Sequence, residues 1–383
     1  GLTLLEIALL APYFLFVFKL ITPTNLLMAT QEKSKASATL ATNKQNYVNL
    51  KKYQAEVALS LEQVTDTALN AITQGDRNLA LMAIDQIREM VLDYLLLKKR
   101  LPKMWFIVSQ EHFIGITSEF HKEICDTKQW VEAKAFIDMR LIFEKSIESM
   151  PDGVNAIAYN TRIIGEAGIK IRDDELLDYA IRFFNSFIRD ALNASNIRAI
   201  FNILYQYRLL TESVFGYNPQ KTEEIFGYFL EYGNYCLNKG GGLEFALSTV
   251  AHDLKDLFIY AYDKKVKNIE NLLNSFMTVE DNVNPKQYPP VYMFVRLAQL
   301  QLATFLFSKG DHKLLEIVAK DLENETVQQL TIWQNILLGI KDRRYQEVTA
   351  RGYNFLYIDE GQKKYLSSFF EEYILSQPDK FQA

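Results

Sequence analysis

The sequence predicts an all-α protein: an amino-terminal transmembrane helix followed by a large domain of antiparallel helical hairpins, tetratricopeptide-like towards the carboxyl end. Three observations predict this class. Glycine and proline are scarce, with 16 and 9 among 383 residues, or about 4% and 2% against average usage of roughly 7% and 5%. Apolar residues recur with the 3.6-residue helical period along most of the chain. No segment alternates apolar and polar residues for long enough to predict a strand.

An apolar segment over residues 2–21 opens the chain, interrupted by four other residues that include Pro12 and Lys19. Twenty helical residues span about 30 Å, which matches the hydrocarbon core of a bilayer. Proline is better tolerated in membrane helices than in soluble ones, and a lysine near one end can extend to the headgroups. We predict a transmembrane helix within 1–23, with a buried core helix or an interfacial helix as the alternative.

A basic stretch follows the apolar segment. Residues 32–52 carry a net charge of +4 and residues 53–383 carry −9, so the positive-inside rule places the acidic body on the cytoplasmic side of the inner membrane. Residues 29–46 hold almost no large apolar side chain, which leaves open a juxtamembrane linker or a solvated helix over 24–46. The lysines of this stretch could also meet anionic lipid.

The helical body begins near Tyr47. Gly75 is expected to end the first long helix and Asp76 to cap the second, which gives an antiparallel hairpin that closes before Pro102. The further predicted helices are 103–126, 128–149, 154–167, 173–194, 196–214, 220–238, 243–277, 289–308, 312–323, 326–340, 343–356 and 360–376. Proline breaks near residue 285 predict a helical domain over 47–285 and a solenoid-like domain of hairpins over 286–383.

A Gly-Asp turn between two helices occurs twice. Ala68–Ile87 and Ala303–Leu322 carry apolar residues at matching offsets around that turn. No regular period separates them, so the sequence predicts recurring helical pairs and not a strict solenoid.

No group of residues predicts a catalytic, cofactor-binding or metal site, and we predict no enzymatic activity and no cofactor. His112 and His121 would face opposite sides of one continuous helix. His252 and Asp256 are the best metal-like pair, four residues apart on one helix face. A metal would need at least two further ligands, so a hydrogen bond on an exposed helix face is the favoured interpretation.

Other conspicuous residues favour structural roles. Gly240-Gly241-Gly242 is expected to form a helix–helix turn, because a phosphate-binding loop needs a preceding strand and a lysine after the glycines. Asp173-Asp174-Glu175 is typical of a helix start. The aromatic tract over 205–235 favours core packing. Arg343-Arg344 and the basic-aromatic run over 351–357 favour a helix end.

The cysteine content and the net charge indicate the redox compartment and exclude one class of partner. Cys125 and Cys236 provide no disulfide framework and no Cys-x-x-Cys motif, which is typical of reduced thiols in a cytoplasmic compartment. The net charge is −5, and binding to nucleic acid needs a basic surface. We therefore predict that nucleic acid is not a partner.

The hairpin sequence over 61–91, preceded by Pro23 and a lysine-bearing connector, resembles a bacterial family of uncharacterised predicted membrane proteins. In that family transmembrane helices lead into a cytoplasmic helical domain. The resemblance covers about residues 1–100, and Gly75-Asp76-Arg77 replaces the family's Asn-Asp-Pro element. It implies a bacterial origin and a membrane context, and it transfers no site residues.

The leading functional hypothesis is a membrane-anchored, non-enzymatic scaffold or adaptor that presents its cytoplasmic helical domain to protein partners. The lipid bilayer would be its second partner, and a homo-oligomer is compatible with this hypothesis. The alternative is a membrane sensor, or a channel or transport accessory, whose helical domain binds a small ligand; an enzyme with an unrecognised site is a third hypothesis. A pocket with convergent polar groups would favour ligand binding over a scaffold.

We expect the full-length chain to stay in the membrane fraction through high-salt and alkaline carbonate washes, because burial of the 2–21 segment in lipid does not depend on charge. A chain that starts near Tyr47 is expected to be soluble. Fractionation of lysates after each wash measures both. Full release of the intact chain by carbonate would contradict a spanning helix.

Overall fold

The computed structural model describes residues 22–113, 115–343 and 354–381. Helices make up 80% of the structure, and the described residues contain no strand, so the predicted all-α class is confirmed. The predicted transmembrane helix over 2–21 lies outside the described residues. Backbone packing divides the chain into two compact units, Gly1–Phe187 and Ile188–Ala383. The predicted boundary at 285–286 stays a prediction.

The first unit is built from helices connected by short turns. Its helices, with the one that contains the unit boundary, are α1 (Pro23–Ala41), α2 (Leu50–Gln74), α3 (Arg77–Lys98), α4 (Ser118–Asp126), α5 (Trp130–Ser149), α6 (Pro151–Ile171) and α7 (Asp174–Asn193). Helices α1, α2 and α3 pack on one another, α5 packs on α2 and α3, and α6 packs on α3 and α5.

The α2–α3 hairpin forms at the predicted Gly-Asp turn. Gly75 is left-handed, with a φ of 76°, a conformation that glycine adopts at little cost. The amide of Asp76 donates to Ala71 O at 2.8 Å and so closes the end of α2. The carboxylate of Asp76 then accepts the Leu79 amide at 3.0 Å and caps α3.

Helix α1 is part of the core of the first unit and is not a solvated extension. Leu27, Ala38 and Ala41 are almost fully buried, and Gln31 Nε2 donates to Asp93 Oδ2 of α3 at 2.8 Å. The sequence left open a juxtamembrane linker or a solvated helix over 24–46. A helix forms, but it is not solvated on all sides, because its small residues pack closely on α2 and α3. A chain that starts near Tyr47 would lose this helix and expose the apolar faces beneath it, so the soluble fragment is expected to start at Thr22 instead.

The helix predicted over 103–126 is wrong for most of its length. Residues Lys103–Phe106 and Gln110–His112 form 3₁₀ turns, and α4 begins only at Ser118. The side chain of Gln54 satisfies this irregular segment, because its Nε2 donates to Trp105 O at 2.9 Å and to Ile107 O at 3.1 Å. The ring of Trp105 is fully buried 5.4 Å from the ring of Trp130. Burial of this aromatic anchor outweighs the helical propensity of the segment.

The second unit continues the pattern of paired helices. Its helices are α8 (Ile197–Phe215), α9 (Pro219–Lys239), α10 (Phe245–Asp263), α11 (Ile269–Met277), α12 (Pro289–Lys309), α13 (His312–Leu322), α14 (Val327–Gly339) and α15 (Glu360–Phe369), with a π turn at Phe370–Ile374. Helix α10 packs on α8, α9, α11 and α12, and α12 packs on α13, α14 and α15.

The prediction of a single helix over 243–277 is wrong, since this range contains two helices, α10 and α11. Lys265 adopts a left-handed conformation with a φ of 57°, and the Val266 amide donates back to Ala261 O at 3.1 Å. This is the closing geometry usually supplied by glycine, and here a lysine adopts it. The helix predicted over 343–356 lies largely outside the described residues, and Asn354–Asp359 are not helical.

Helix α12 is the central helix of the second unit. Among the described residues it alone is long and apolar enough to cross a bilayer, and 67% of its apolar window is buried inside the protein. It ends at the second predicted Gly-Asp turn: Gly310 has a φ of 67°, and the Asp311 carboxylate accepts the Leu314 amide at 3.1 Å. The recurrence of this turn is confirmed.

A buried carboxyl group in the first unit makes stability depend on pH. Asp138 is 4% exposed on α5, with Lys134 Nζ 3.5 Å from its Oδ1 and 3.1 Å from Glu62 Oε1. Burial raises the pKa of Asp138 from 3.8 to about 6, although Lys134 acts in the opposite direction. Because the pKa is higher in the folded chain, the stabilisation from this group is fully present below pH 3.8 and is lost as the pH rises through about 6.

Asp138→Asn is expected to remove this loss of stability. Between pH 4.5 and 7.5 the free energy of unfolding of the wild type should fall by about 2 kcal/mol more than that of the variant, since each pKa unit corresponds to about 1.4 kcal/mol and part of the stabilisation is already lost at pH 4.5. Urea unfolding at both pH values measures the difference. Asp66→Asn, at an exposed position on α2, serves as the control and should keep the wild-type pH dependence. Equal pH dependence of wild type and Asp138→Asn would contradict the prediction.

Candidate ligand cleft in the second unit

A cleft with a volume of about 550 Å³ opens in the second unit, lined by residues of α8, α10, α12, α14 and α15 and by the segment before α15. This volume lies within the range of roughly 300–1,000 Å³ typical of small-molecule sites. The helical period places its residues on single faces. Helix α10 contributes Lys255, Asp256 and Ile259, and α12 contributes Gln301 and Phe305 at a spacing of four residues.

Charged side chains form one wall of the cleft. Lys255 Nζ lies 2.9 Å from Asp256 Oδ1 and donates to Gln301 Oε1 at 2.7 Å. Arg208 of α8 reaches the same carboxylate, with Nη1 3.3 Å from Asp256 Oδ2, and its Nη2 donates to Glu212 Oε1 at 2.8 Å. Burial alone would raise the pKa of Asp256, but Lys255 and Arg208 outweigh it and hold that pKa below its usual value.

His252 lies beneath this wall and is fully buried. Its ring stacks on Phe355 with a centroid separation of 4.3 Å and an interplanar angle of 29°. Gln301 Nε2 donates to Phe355 O at 3.2 Å, so the same glutamine contacts both Lys255 and the Phe355 backbone. The expectation of an exposed His252–Asp256 pair is therefore wrong, because the ring is enclosed in the core.

The mouth of the cleft carries polar groups from the two ends of the 343–354 stretch. Arg343 is exposed, and its carbonyl accepts the Asn354 amide at 2.9 Å. Tyr357 and Tyr365 also line the cleft. Among the described residues that line the cleft, three side chains are cationic and two are carboxylates. The cleft is thus mildly basic in a chain that is acidic as a whole.

The other histidines and the glycine run singled out in the sequence do not line the cleft. His112 belongs to a 3₁₀ turn and His121 to α4, so the continuous helix expected for them does not form; His121 Nε2 lies 3.0 Å from Val108 O. No three His, Cys, Asp or Glu side chains come together as a metal-binding group within the described ranges. Gly240-Gly241-Gly242 forms the predicted turn, all three with positive φ.

The predicted capping and packing roles are confirmed. Asp173 Oδ1 accepts the Leu176 amide at 3.1 Å at the start of α7. In the aromatic tract over 205–235, the rings of Tyr207 and Phe229 are fully buried with centroids 5.2 Å apart. The helix end predicted at Arg343-Arg344 and 351–357 lies partly outside the described residues.

Of the cleft residues, Asp256, Arg343 and the run over 354–357 stood out in the sequence but were given structural roles, whereas Arg208, Lys255 and Gln301 were missed. Arg208, Lys255 and Gln301 each occur on a helix whose neighbouring positions are mostly buried and apolar. A polar residue on the apolar face of a predicted helix was the available signal, since such a group needs a buried partner or a ligand.

No protein family and no curated protein matches the sequence. Among solved structures the chain is similar to one described as a circular tandem repeat protein with novel repeat topology and enhanced subunit contact surfaces, with 14% identity over 94% of this chain and 96% of that chain. The TM-score is 0.41, a level at which the likeness assigns neither fold nor function.

His252→Ala is expected to lower the free energy of unfolding by about 2–4 kcal/mol, because it leaves a cavity beside Phe355 in a packed core. The exposed His312→Ala serves as the control and should change stability by less than about 0.5 kcal/mol. Chemical unfolding of both variants measures the difference. A loss below about 1 kcal/mol for His252→Ala would contradict the buried, stacked position.

Proposed function

We propose that this protein is a non-enzymatic helical binding protein whose second unit takes a small organic anion with an apolar or aromatic part. The observation that carries the proposal is the cleft of about 550 Å³ in which cationic and polar side chains converge. Small-molecule sites combine a concave, largely apolar surface with a few placed polar groups. A pure scaffold needs no such feature.

The chemistry of the lining selects the ligand class. Arg343 at the mouth offers a planar guanidinium that can donate two parallel hydrogen bonds to a carboxylate or phosphate group. Phe305 and Phe355 provide apolar surface for the remainder of the ligand. The inner cations Lys255 and Arg208 already contact Asp256, so one anionic group near the mouth suits the excess of positive charge.

This proposal develops the ligand-binding alternative of the sequence analysis. Membrane anchoring through residues 2–21, a cytoplasmic orientation at the inner membrane and a bacterial origin stay proposals that rest on the sequence pattern. A scaffold role towards protein partners is the second candidate. It is favoured by successive helices that pack as pairs and leave helix faces open to solvent.

Anion binding should depend on Arg343. A thermal-shift screen of the full chain with carboxylates and phosphate monoesters, with and without aromatic groups, identifies the best anion, and calorimetry then gives its affinity. Arg343→Gln is expected to weaken that affinity by roughly 10- to 100-fold, the usual effect of losing a hydrogen bond to a charged group. Arg198→Gln, at an exposed position on α8 outside the cleft, is the matched control and should bind as the wild type does.

Two results would contradict the proposal. Neutral analogues that bind as tightly as the anions would remove the charge-based ligand class. A screen without hits, together with native mass spectra free of any co-purified small molecule, would leave the scaffold hypothesis in its place. Chemical conversion of the bound anion would show instead that the protein is an enzyme.

A further inference from the structure

Three helix termini meet at one end of the first unit. Helix α1 runs antiparallel to α2, as the bond from Ser37 Oγ to Glu56 Oε2 at 2.6 Å shows. It runs parallel to α3, since Gln86 Nε2 donates to Gln31 Oε1 at 2.5 Å and, further along both helices, Lys35 Nζ lies 3.2 Å from Asp93 Oδ1. The carboxyl end of α1, the amino end of α2 and the carboxyl end of α3 therefore share one end of the bundle. Residues 40–52 and 96–107 form it, and we call it the basic apolar end.

Large aliphatic side chains are unusually exposed at the basic apolar end. The exposed fractions are 46% for Leu40, 89% for Val48, 77% for Leu96, 64% for Met104 and 72% for Ile107. Several exposed apolar side chains at one end of a folded unit indicate a contact surface. Its members come from the ends of α1 and α3 and from two turns, the first over Lys44–Asn49 and the second beginning at Lys103, so their clustering results from the fold and is not a local sequence feature.

Cations surround these aliphatic side chains. The exposed ones are Lys44, Lys51, Lys52, Lys99, Arg100 and Lys103. Residues 40–55 and 94–110 contain no Asp or Glu, although the chain as a whole is acidic. Only Lys98 of these segments faces inward, with its Nζ 2.7 Å from Glu132 Oε1 and 2.8 Å from Asp173 Oδ2. Carboxylates of α5 and of the turn before α7 thus neutralise Lys98, whereas the six exposed cations form no ion pair within the described part of the chain, so their charge is available to a partner.

The turn that carries Met104 and Ile107 is held in place. Besides the bonds from Gln54 to the turn carbonyls, Trp105 Nε1 donates to Tyr94 OH at 3.2 Å. On the other side, Asn46 Nδ2 donates to Leu40 O at 3.1 Å. The backbone that carries the exposed aliphatic side chains is therefore already ordered. Binding to a partner does not have to order it, which saves conformational entropy.

We propose that the basic apolar end rests on an anionic lipid surface, with its aliphatic tips entering the headgroup region and its cations facing the lipid charge. Interfacial protein surfaces combine these two features, apolar side chains and a rim of Lys and Arg. Lipid suits this end better than RNA, because single-stranded nucleic acid is bound by exposed aromatic rings. Here Trp105 and Phe106 are buried and the exposed side chains are aliphatic.

This surface is distinct from the point where residues 2–21 join the described chain. Helix α1 has 19 residues, so it is about 28 Å long, and Pro23 lies at its far end. Lysines 44, 51 and 52 follow the apolar segment in sequence, yet the fold carries them to the opposite end of the bundle. Contact through this end needs no spanning helix and is independent of the anion cleft.

Amide hydrogen exchange of the full chain tests the proposal. The chain is mixed with vesicles of phosphatidylcholine alone or with about one third phosphatidylserine. Exchange should slow several-fold in residues 40–52 and 96–107 only with phosphatidylserine. Because protection is measured for each segment, the result does not depend on how residues 2–21 meet the vesicle.

Matched variants assign the effect to the proposed cations. Lys51→Gln, Lys52→Gln and Lys103→Gln combined should abolish the phosphatidylserine-dependent protection. The control combines Lys145→Gln, Lys267→Gln and Lys286→Gln, which remove equal charge at exposed positions elsewhere, and it should keep the protection. Leu96→Ser with Ile107→Ser should weaken the protection while the cations are retained.

Several outcomes would overturn the proposal. Equal exchange on both vesicles, or equal loss in both triple variants, would show that this end makes no specific lipid contact. Protection by millimolar inorganic phosphate alone would indicate a site for the free ion. Protection by an RNA oligonucleotide, or by raised protein concentration without vesicles, would assign this surface to nucleic acid or to a second copy of the chain.

Discussion

The close packing of α1 on α2 and α3 is the contact on which the first unit depends. Its buried positions include Ser34, Ser37 and Ala38, and small side chains let helix axes approach closely. Because α1 contributes to the core, it fixes the direction of the bundle. That direction decides which helix ends meet, and so it brings the cations of residues 40–52 and 96–107 together at one end.

Buried ion pairs are present in both units, but the pKa of the carboxyl group is raised in one pair and lowered in the other. Lys134 with Asp138 and Lys255 with Asp256 are both ion pairs placed largely out of water, where desolvation costs much of the Coulombic gain. In the first pair the carboxyl keeps a raised pKa. In the second a further cation, Arg208, lowers the carboxyl pKa and keeps the group ionised. A fixed charge pattern of this kind at the wall of a cleft suits recognition of a charged ligand.

Local signals in the sequence predict the parts of the fold that depend on neighbouring residues. The Gly75-Asp76 turn, the cap at Asp173 and the aromatic core each rest on contacts a few residues apart or on a helical period. The irregular segment after α3 was not predicted, because the hydrogen bonds to its backbone carbonyl groups come from Gln54, some fifty residues earlier. The break between α10 and α11 was not predicted, because Lys265 adopts a left-handed conformation that is usually indicated by a glycine in the sequence. The cleft was not predicted for the first reason, since its charged wall joins residues from three helices, α8, α10 and α12.

The order of the helices along the chain has a consequence for biosynthesis. Helices α1, α2 and α3 are consecutive and complete within the first 98 residues, and their contacts span short stretches of chain, which favours rapid folding. Once residue 98 has left the ribosome, the three helices can assemble before the helices that follow them have been made. The basic apolar end would then form early, while the chain that follows is still being translated.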